Sequence, residues 1–308
     1  MKRDLITLLD YSSAEVLSLI DSADKLKIQN GKLRTDLKGK SVALVFQKPS
    51  NRTRVSFEVG VHQLGGHCLY LGPEEINLGK RESTHDVAKT LSRYVQCIVA
   101  RVFDNKDIVE LAQHADVPVI NALCDLYHPC QALADIQTIR EQFGKFKGLT
   151  LAYVGDGNNV FHSLMIACVK VGINVRFAGP QGYDPNPVIV KRAQEVAKAN
   201  KCVIELGTDS KEAVKGADVV YCDVWVSMGQ EKEKLKRIKE FEGYQINGDL
   251  VKLAHKDYIF MHCLPAHRDL EVTADVIDGK HSVIFDQAEN RLHAQKAVLL
   301  YLLKGKAK

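Results

Sequence analysis

Ser41-Val42-Ala43-Leu44-Val45-Phe46 runs into Gln47-Lys48-Pro49-Ser50-Asn51-Arg52-Thr53-Arg54, and a stretch with Val55, Val59 and Val61 at apolar positions follows. A short β-branched run that ends in a polar turn and opens an amphipathic segment reads as strand, loop and helix, the helix over Arg54 to Leu64. This places Ser50 to Thr53 at a helix N-terminus, where backbone N–H groups without intrahelical partners favour an anion. Ser50 and Thr53 add hydroxyl donors, and Arg52 adds a planar fork suited to phosphate oxygens. A plain helix cap would account for Ser50 or Asn51, but a cap needs no arginines.

The same alternation extends in both directions. Strands are expected at His67 to Leu71, Cys97 to Val102 and Pro118 to Leu123, and helices at Ser83 to Tyr94, Lys106 to His114 and Gln131 to Phe143. Gly144 to Thr150, polar and Gly-bearing, reads as a joint. A second series of strands follows at Leu151 to Val154, Asn174 to Ala178, Cys202 to Leu206, Val219 to Asp223, Tyr258 to His262 and Val283 to Asp286. Ala288 to Leu303 closes the chain as an amphipathic helix. The fold class is therefore α/β, with two open parallel-sheet domains joined by helices. Residues 1–147, joined by the closing helix 289–308, form one domain, and residues 148–288 the other. Ligands of such sheets bind beyond the carboxyl ends of the strands, so residues just after strands are the site candidates.

Composition narrows the function classes. A chain of 308 residues, 45% apolar and 26% charged, is long enough for two domains with a core each. A balance of 42 basic against 38 acidic side chains gives no basic field for nucleic acid, and the short tail Lys304 to Lys308 reads as a solvated terminus. No apolar stretch approaches the length of a membrane span. The N-terminal MKRDLITLLD lacks a continuous apolar region and a cleavage site, so a secretory leader is not expected. Eight scattered cysteines without paired CxxC spacing suit a reduced, cytoplasmic setting.

Further strand exits carry polar strings. Arg101 ends CIVARVF, where the bland alternative is a surface arginine. His128-Pro129-Cys130-Gln131-Ala132-Leu133-Ala134-Asp135 opens a helix, and its histidine could cap it or sit satisfied in a core. Gly155-Asp156-Gly157-Asn158-Asn159 suggests a dinucleotide turn but lacks the third glycine of GxGxxG. Asp223-Val224-Trp225-Val226-Ser227-Met228-Gly229 offers a carboxylate for a cation, or is an ordinary strand exit. His262-Cys263-Leu264-Pro265 contains a cysteine that could be a buried small hydrophobe. His128, Cys130, His262 and Cys263 could hold a metal, yet their spacings match no zinc pattern. No metal and no cofactor are expected.

The Ser-x-Arg-Thr-Arg loop, with HPCQALAD, GDGNNV, D-x-x-x-S-M-G, HCLP and Glu289-Asn290-Arg291 following in order, resembles the aspartate/ornithine carbamoyltransferase family over essentially the whole length. Asn51 stands where the family usually has Thr, Leu or Met. The resemblance implies that carbamoyl phosphate is held by Ser50, Asn51, Arg52, Thr53, Asn77, Arg101, His128, Pro129, Cys130, Gln131, Cys263, Leu264 and Arg291, with Arg54 supporting the loop. Asn77, in Asn77-Leu78-Gly79, stands where the family often has a Gln that reaches a neighbouring subunit's site. Asn159, Asp223, Ser227 and Met228 would meet the amino-acid substrate. Arg101, His128, Asp223 and Cys263 would be catalytic. Within the family the Ser-Met-Gly string points to ornithine as acceptor. The reaction implied is carbamoyl transfer from carbamoyl phosphate to the side-chain amine of L-ornithine, giving citrulline and phosphate in arginine metabolism. Putrescine or another amine is the alternative acceptor, and an NAD-dependent oxidoreductase or a non-catalytic binding subunit are rivals from other classes. The resemblance also implies a homo-oligomer, at least a homotrimer, and two substrates drawn from different domains by a closing hinge.

Overall fold

Ser41–Phe46 is a strand, β1, and it is the second of four in a parallel sheet. With β2 (His67–Leu71), β3 (Cys97–Arg101) and β4 (Val119–Leu123), the order is β2-β1-β3-β4. The computed structural model describes residues 2–304 apart from 30, 77, 80, 227, 228 and 230. Two compact units divide the chain: Met1–Gln137 with Glu289–Lys308, and Thr138–Ala288. Both boundaries fall within helices, and residues 144–150 lie inside the second unit.

In the first unit, β3 is buried along its whole length and β1 nearly so, as parallel strands with helices on both faces require. β2 is the edge strand and stays partly exposed. The longer helices are α1 (Ser13–Ile28), α2 (Asn51–Gln63), α3 (Thr84–Tyr94), α4 (Asn105–His114) and α5 (Pro129–Phe143). The chain leaves β1 for β2 on one side, then returns to place β3 on the other. The carboxyl ends of β1 and β3 therefore flank a topological switch point, where open α/β sheets bind ligands. Phe46 is in register with Arg101, which brings the loop after β1 beside that arginine.

The second unit repeats the plan with five parallel strands in the order β7-β6-β5-β8-β9. They are β5 (Thr150–Val154), β6 (Asn174–Ala178), β7 (Ile204–Gly207), β8 (Val219–Cys222) and β9 (Ile259–His262), with helices α6 (Asn159–Val171), α7 (Pro187–Asn200) and α8 (Lys234–Glu240). Its switch point lies between β5 and β8, at Gly155 to Asn159 and at Asp223. Tyr153 and Tyr221 stack in the core with ring centroids 5.6 Å apart. Burying aromatic and branched side chains of this kind contributes about 1.5–3 kcal/mol each.

The two parallel sheets agree with the α/β class expected from the sequence. One expected strand does not form. Residues 283–286 were to be a strand, but the closing helix, α9 (Ile284–Lys304), already begins there. Only residues 281–283 pair with β9: Phe260 N donates to His281 O (2.8 Å) and Val283 N to Phe260 O (3.0 Å). Gln287 N then donates to Val283 O at 2.9 Å, which starts the helix. Phe285, 72% exposed, has no sheet face to pack on. A short apolar run is ambiguous between the two states, and here the helix wins. Among the described residues no helix is long and apolar enough to cross a membrane.

Candidate active site

In the first unit the loop after β1 caps α2. Ser50 accepts from Thr53 N at 3.3 Å, with extended backbone at the cap. Thr53 is buried, and its hydroxyl accepts from Arg291 Nη2 at 3.2 Å, so its own proton can be donated to an anion. Arg291 Nη1 also donates to Gln131 Oε1 at 2.7 Å, and Gln131 Nε2 donates to Asp135 Oδ1 at 2.8 Å. That chain orients the glutamine amide, leaving its oxygen as the acceptor beside the arginine. Cys130 is buried, its thiol donating to Asn121 O at 3.5 Å. Arg54 points away from this group: it pairs with Glu58 at 3.0 Å and stacks 3.8 Å over Tyr70.

His128 is buried just before Pro129, the first residue of α5. Burial first, then Arg291, Arg101, Lys48 and Arg52, push its proton affinity well below the ordinary histidine range. The ring is therefore neutral at working pH, and it can still donate one N–H. Lys48 is also buried; desolvation, then Arg101, brings its ammonium down to about 8. Four cations thus bear on one neutral imidazole. Such a group is electrostatically costly until an anion arrives.

In the second unit the sites follow β5, β8 and β9. Asn158 caps α6, accepting from Val160 N (3.0 Å) and Phe161 N (3.2 Å). Its Nδ2 donates to Asp223 Oδ2 at 2.9 Å, and the Cys263 thiol donates to Asp223 Oδ1 at 3.1 Å. Asn159, whose Oδ1 accepts from Val160 N at 3.0 Å, begins the helix beside them. Leu264 takes φ 58°, a left-handed conformation that costs a leucine energy, and its amide donates to His262 Nδ1 at 2.9 Å. His262 Nε2 in turn lies 3.5 Å from the buried Glu271 carboxylate. This backing holds the Leu264 amide against the His262 ring. Asp223, His262 and Cys263 offer ligand atoms within 4.8 Å of one another, the one candidate metal group among the described residues. His128 and Cys130 belong to the other unit. Ser227, Met228 and Asn77 lie outside the described residues.

The dinucleotide alternative fails on the turn after β5. A Cβ on Gly157 would sit 2.3 Å from Pro185 N and 2.6 Å from Asp184 C. The space that such a glycine leaves for a pyrophosphate is here filled by the protein's own backbone.

The carbamoyl-P binding domain of aspartate/ornithine carbamoyltransferases matches residues 3–141, and their Asp/Orn binding domain matches residues 147–302. The chain belongs to the aspartate/ornithine carbamoyltransferase family. It is 55% identical over 305 residues to the ornithine carbamoyltransferase of Thermococcus kodakarensis, covering 98% of this chain and 97% of that protein. It is 54% identical to a relative from Pyrococcus furiosus named as an anabolic ornithine carbamoyltransferase, covering 98% and 97%. The solved ornithine carbamoyltransferase of Pyrococcus furiosus superposes with a TM-score of 0.95 at 54% identity, covering 100% of this chain and 98% of that one. The anabolic enzyme of Campylobacter jejuni gives 0.93 at 40%, covering 98% and 99%.

Within this carbamoyltransferase frame, three residues near the site had no reading in the sequence. Lys48 lies inside the phosphate loop string, yet only burial sets it apart from a surface lysine. Glu271 backs His262 from nine positions along the chain. Arg237, on α8, is buried against Asp156, donates to Trp225 O at 2.5 Å and lies 4.6 Å over the Tyr183 ring. It ties the turn after β5 to the exit from β8. Its string, KLKRIKE, looks like a solvated helix face and gives no local signal.

Proposed function

We propose that this chain transfers the carbamoyl group of carbamoyl phosphate to the side-chain amine of L-ornithine. The observation that carries the reading is the neutral, buried His128 set among Arg52, Arg101, Arg291 and Lys48 at the β1/β3 switch point. The cations and the Ser50–Thr53 helix end bind the phosphate. His128 and Arg101 donate to the carbamoyl oxygen as it gains charge, and the Gln131 oxygen accepts from the carbamoyl NH2. Preorganised donors of this type are each worth about 10²–10³ in rate. In the other unit, Asp223 receives the amine, Asn159, Ser227 and Met228 receive the amino-acid head, and Cys263 and the Leu264 carbonyl fix the amine's direction. Asn77 completes the carbamoyl phosphate set.

The amine must be neutral to attack. Its ordinary pKa, taken from lysine, is about 10.4, so deprotonation at pH 8 costs about 3 kcal/mol. The nitrogen lone pair then forms the new C–N bond, the C–O bond to phosphorus breaks, and the departing phosphate takes the amine proton. The products are citrulline and phosphate, with no covalent enzyme intermediate. The reaction requires both ligands to meet, so a closing motion belongs to the proposal. A cytoplasmic homotrimer working in arginine biosynthesis fits this reading. Supporting it, the described cysteines are all free thiols, and α2 and edge strand β2 leave Val55, Val59 and Leu69 exposed.

An acceptor screen with carbamoyl phosphate tests the assignment. Citrulline should form from ornithine, with little product from putrescine. Carbamoylputrescine as the main product would overturn the acceptor, and absence of any carbamoyl product would overturn the reaction. Light scattering reads the oligomer, for which a stable monomer is the refuting result.

A further inference from the structure

Asn158 has no part in the chemistry proposed above, and its side chain is committed at both ends. The amide oxygen accepts from Val160 N and Phe161 N, closing the first turn of α6. The amide nitrogen donates to Asp223 Oδ2 at 2.9 Å. The orientation is fixed by chemistry: a swapped amide would set an oxygen against a carboxylate and an NH2 against two N–H donors. The second Asp223 oxygen accepts from the Cys263 thiol at 3.1 Å. Among the described residues, each carboxylate oxygen therefore accepts from one donor.

We infer that Asn158 is a positioning residue for the amine site: its amide couples the first turn of α6 to Asp223 and fixes where that carboxylate points. The inference rests on the reading of Asp223 as the group that receives the substrate amine. Of the good cap residues, only asparagine can do both tasks. Aspartate caps a helix equally well but has no donor, and it would set a second carboxylate against the first. Serine also caps, but its single hydroxyl is too short to serve both ends. Glycine has no side chain to donate to Asp223, and alanine neither caps nor donates.

These differences separate a positioning role from a merely structural one. Asn158→Ser and Asn158→Asp keep the cap and lose the donor, whereas Asn158→Ala loses both. Steady-state kinetics with carbamoyl phosphate and ornithine, together with thermal unfolding, is the measurement. Asn158→Ser should raise the ornithine KM about tenfold, the scale of a lost hydrogen bond to a charged group. Asn158→Asp should raise it further, and Asn158→Ser should shift neither the carbamoyl phosphate KM more than about twofold nor the unfolding midpoint by more than a few degrees. Asn158→Ala should lower the midpoint as well. If Asn158→Ser and Asn158→Asp both fold and hold the wild-type ornithine KM within about twofold, Asn158 is only a cap and the inference is wrong. Should Asn158→Asp fail to fold, Asn158→Ser alone decides. Wild-type protein that makes no citrulline from ornithine overturns the reading of Asp223 itself, a result distinct from variants that match an active wild type.

Discussion

The two switch points are built on the same plan and charged in opposite ways. At β1/β3, Arg52, Arg101, Arg291 and Lys48 press on a buried imidazole and on one another, and the cost is visible in Lys48 and His128, both driven toward their neutral forms. At β5/β8, Asp223 accepts, among the described residues, from one amide and one thiol, one to each oxygen. One site is left under electrostatic stress that an anion relieves. The other already has a hydrogen-bond donor on each carboxylate oxygen before any ligand arrives. A phosphate must be gripped hard while charge moves onto it, whereas an amine must be held lightly enough to lose its proton.

The largest break in that contrast should come from Arg101→Ala. It removes a charge-stabilising donor from the stressed site and should lower kcat/KM by about three orders of magnitude, near 4 kcal/mol of barrier. Retention of full turnover and carbamoyl phosphate affinity would show that Arg101 lies off the reaction. On the quiet side, Cys263→Ala should reduce turnover about 10- to 100-fold while the unfolding midpoint moves little, because Asp223 keeps its amide donor. Unchanged activity would make Cys263 a packing residue.

The stress can be titrated too. Lys48 is charged below about 8 and neutral above it. The free protein's affinity for carbamoyl phosphate should therefore weaken as pH rises through 8, by about tenfold at most between pH 7 and 9. Calorimetry on the wild type and on Lys48→Arg, which keeps its charge, checks this: the arginine variant should show the flatter profile. Identical profiles would remove Lys48 from the anion site. The smallest effect is thermal. Inorganic phosphate at about one hundred times its Kd should raise the unfolding midpoint by about 5 °C. Ornithine alone at the same multiple raising it as much, with phosphate inert, would reverse the assignment of stressed and quiet sites.

Much of this architecture was legible in the chain. Strands such as Ser41–Phe46 and Val119–Leu123 are short apolar runs, and the phosphate loop and HPCQ strings follow where such strands end. What stayed hidden depends on contacts across long separations. Arg237 meets Asp156 from 81 residues away, and nothing in its own neighbourhood distinguishes it. Asn158 could be read locally as a cap, but its second bond reaches 65 residues to Asp223. Lys48 is set apart only by burial. Residues 283–286 were misread for a different reason: a three-residue apolar run carries too little period to tell a strand from the start of a helix. By contrast, α1 is signalled by Ser12 and Glu15, whose reciprocal capping box is a readable start that the strand pattern overshadowed.

The seating of Gly157 against Asp184 and Pro185 bears on what this scaffold could become. Turns after the first strand of an open α/β sheet are where such sheets hold dinucleotide phosphates. Here even a methyl group would collide with the opposing main chain. A side chain at Gly157 would therefore require Asp184 and Pro185 to move first, so this corner of the turn is held by its neighbour's main chain.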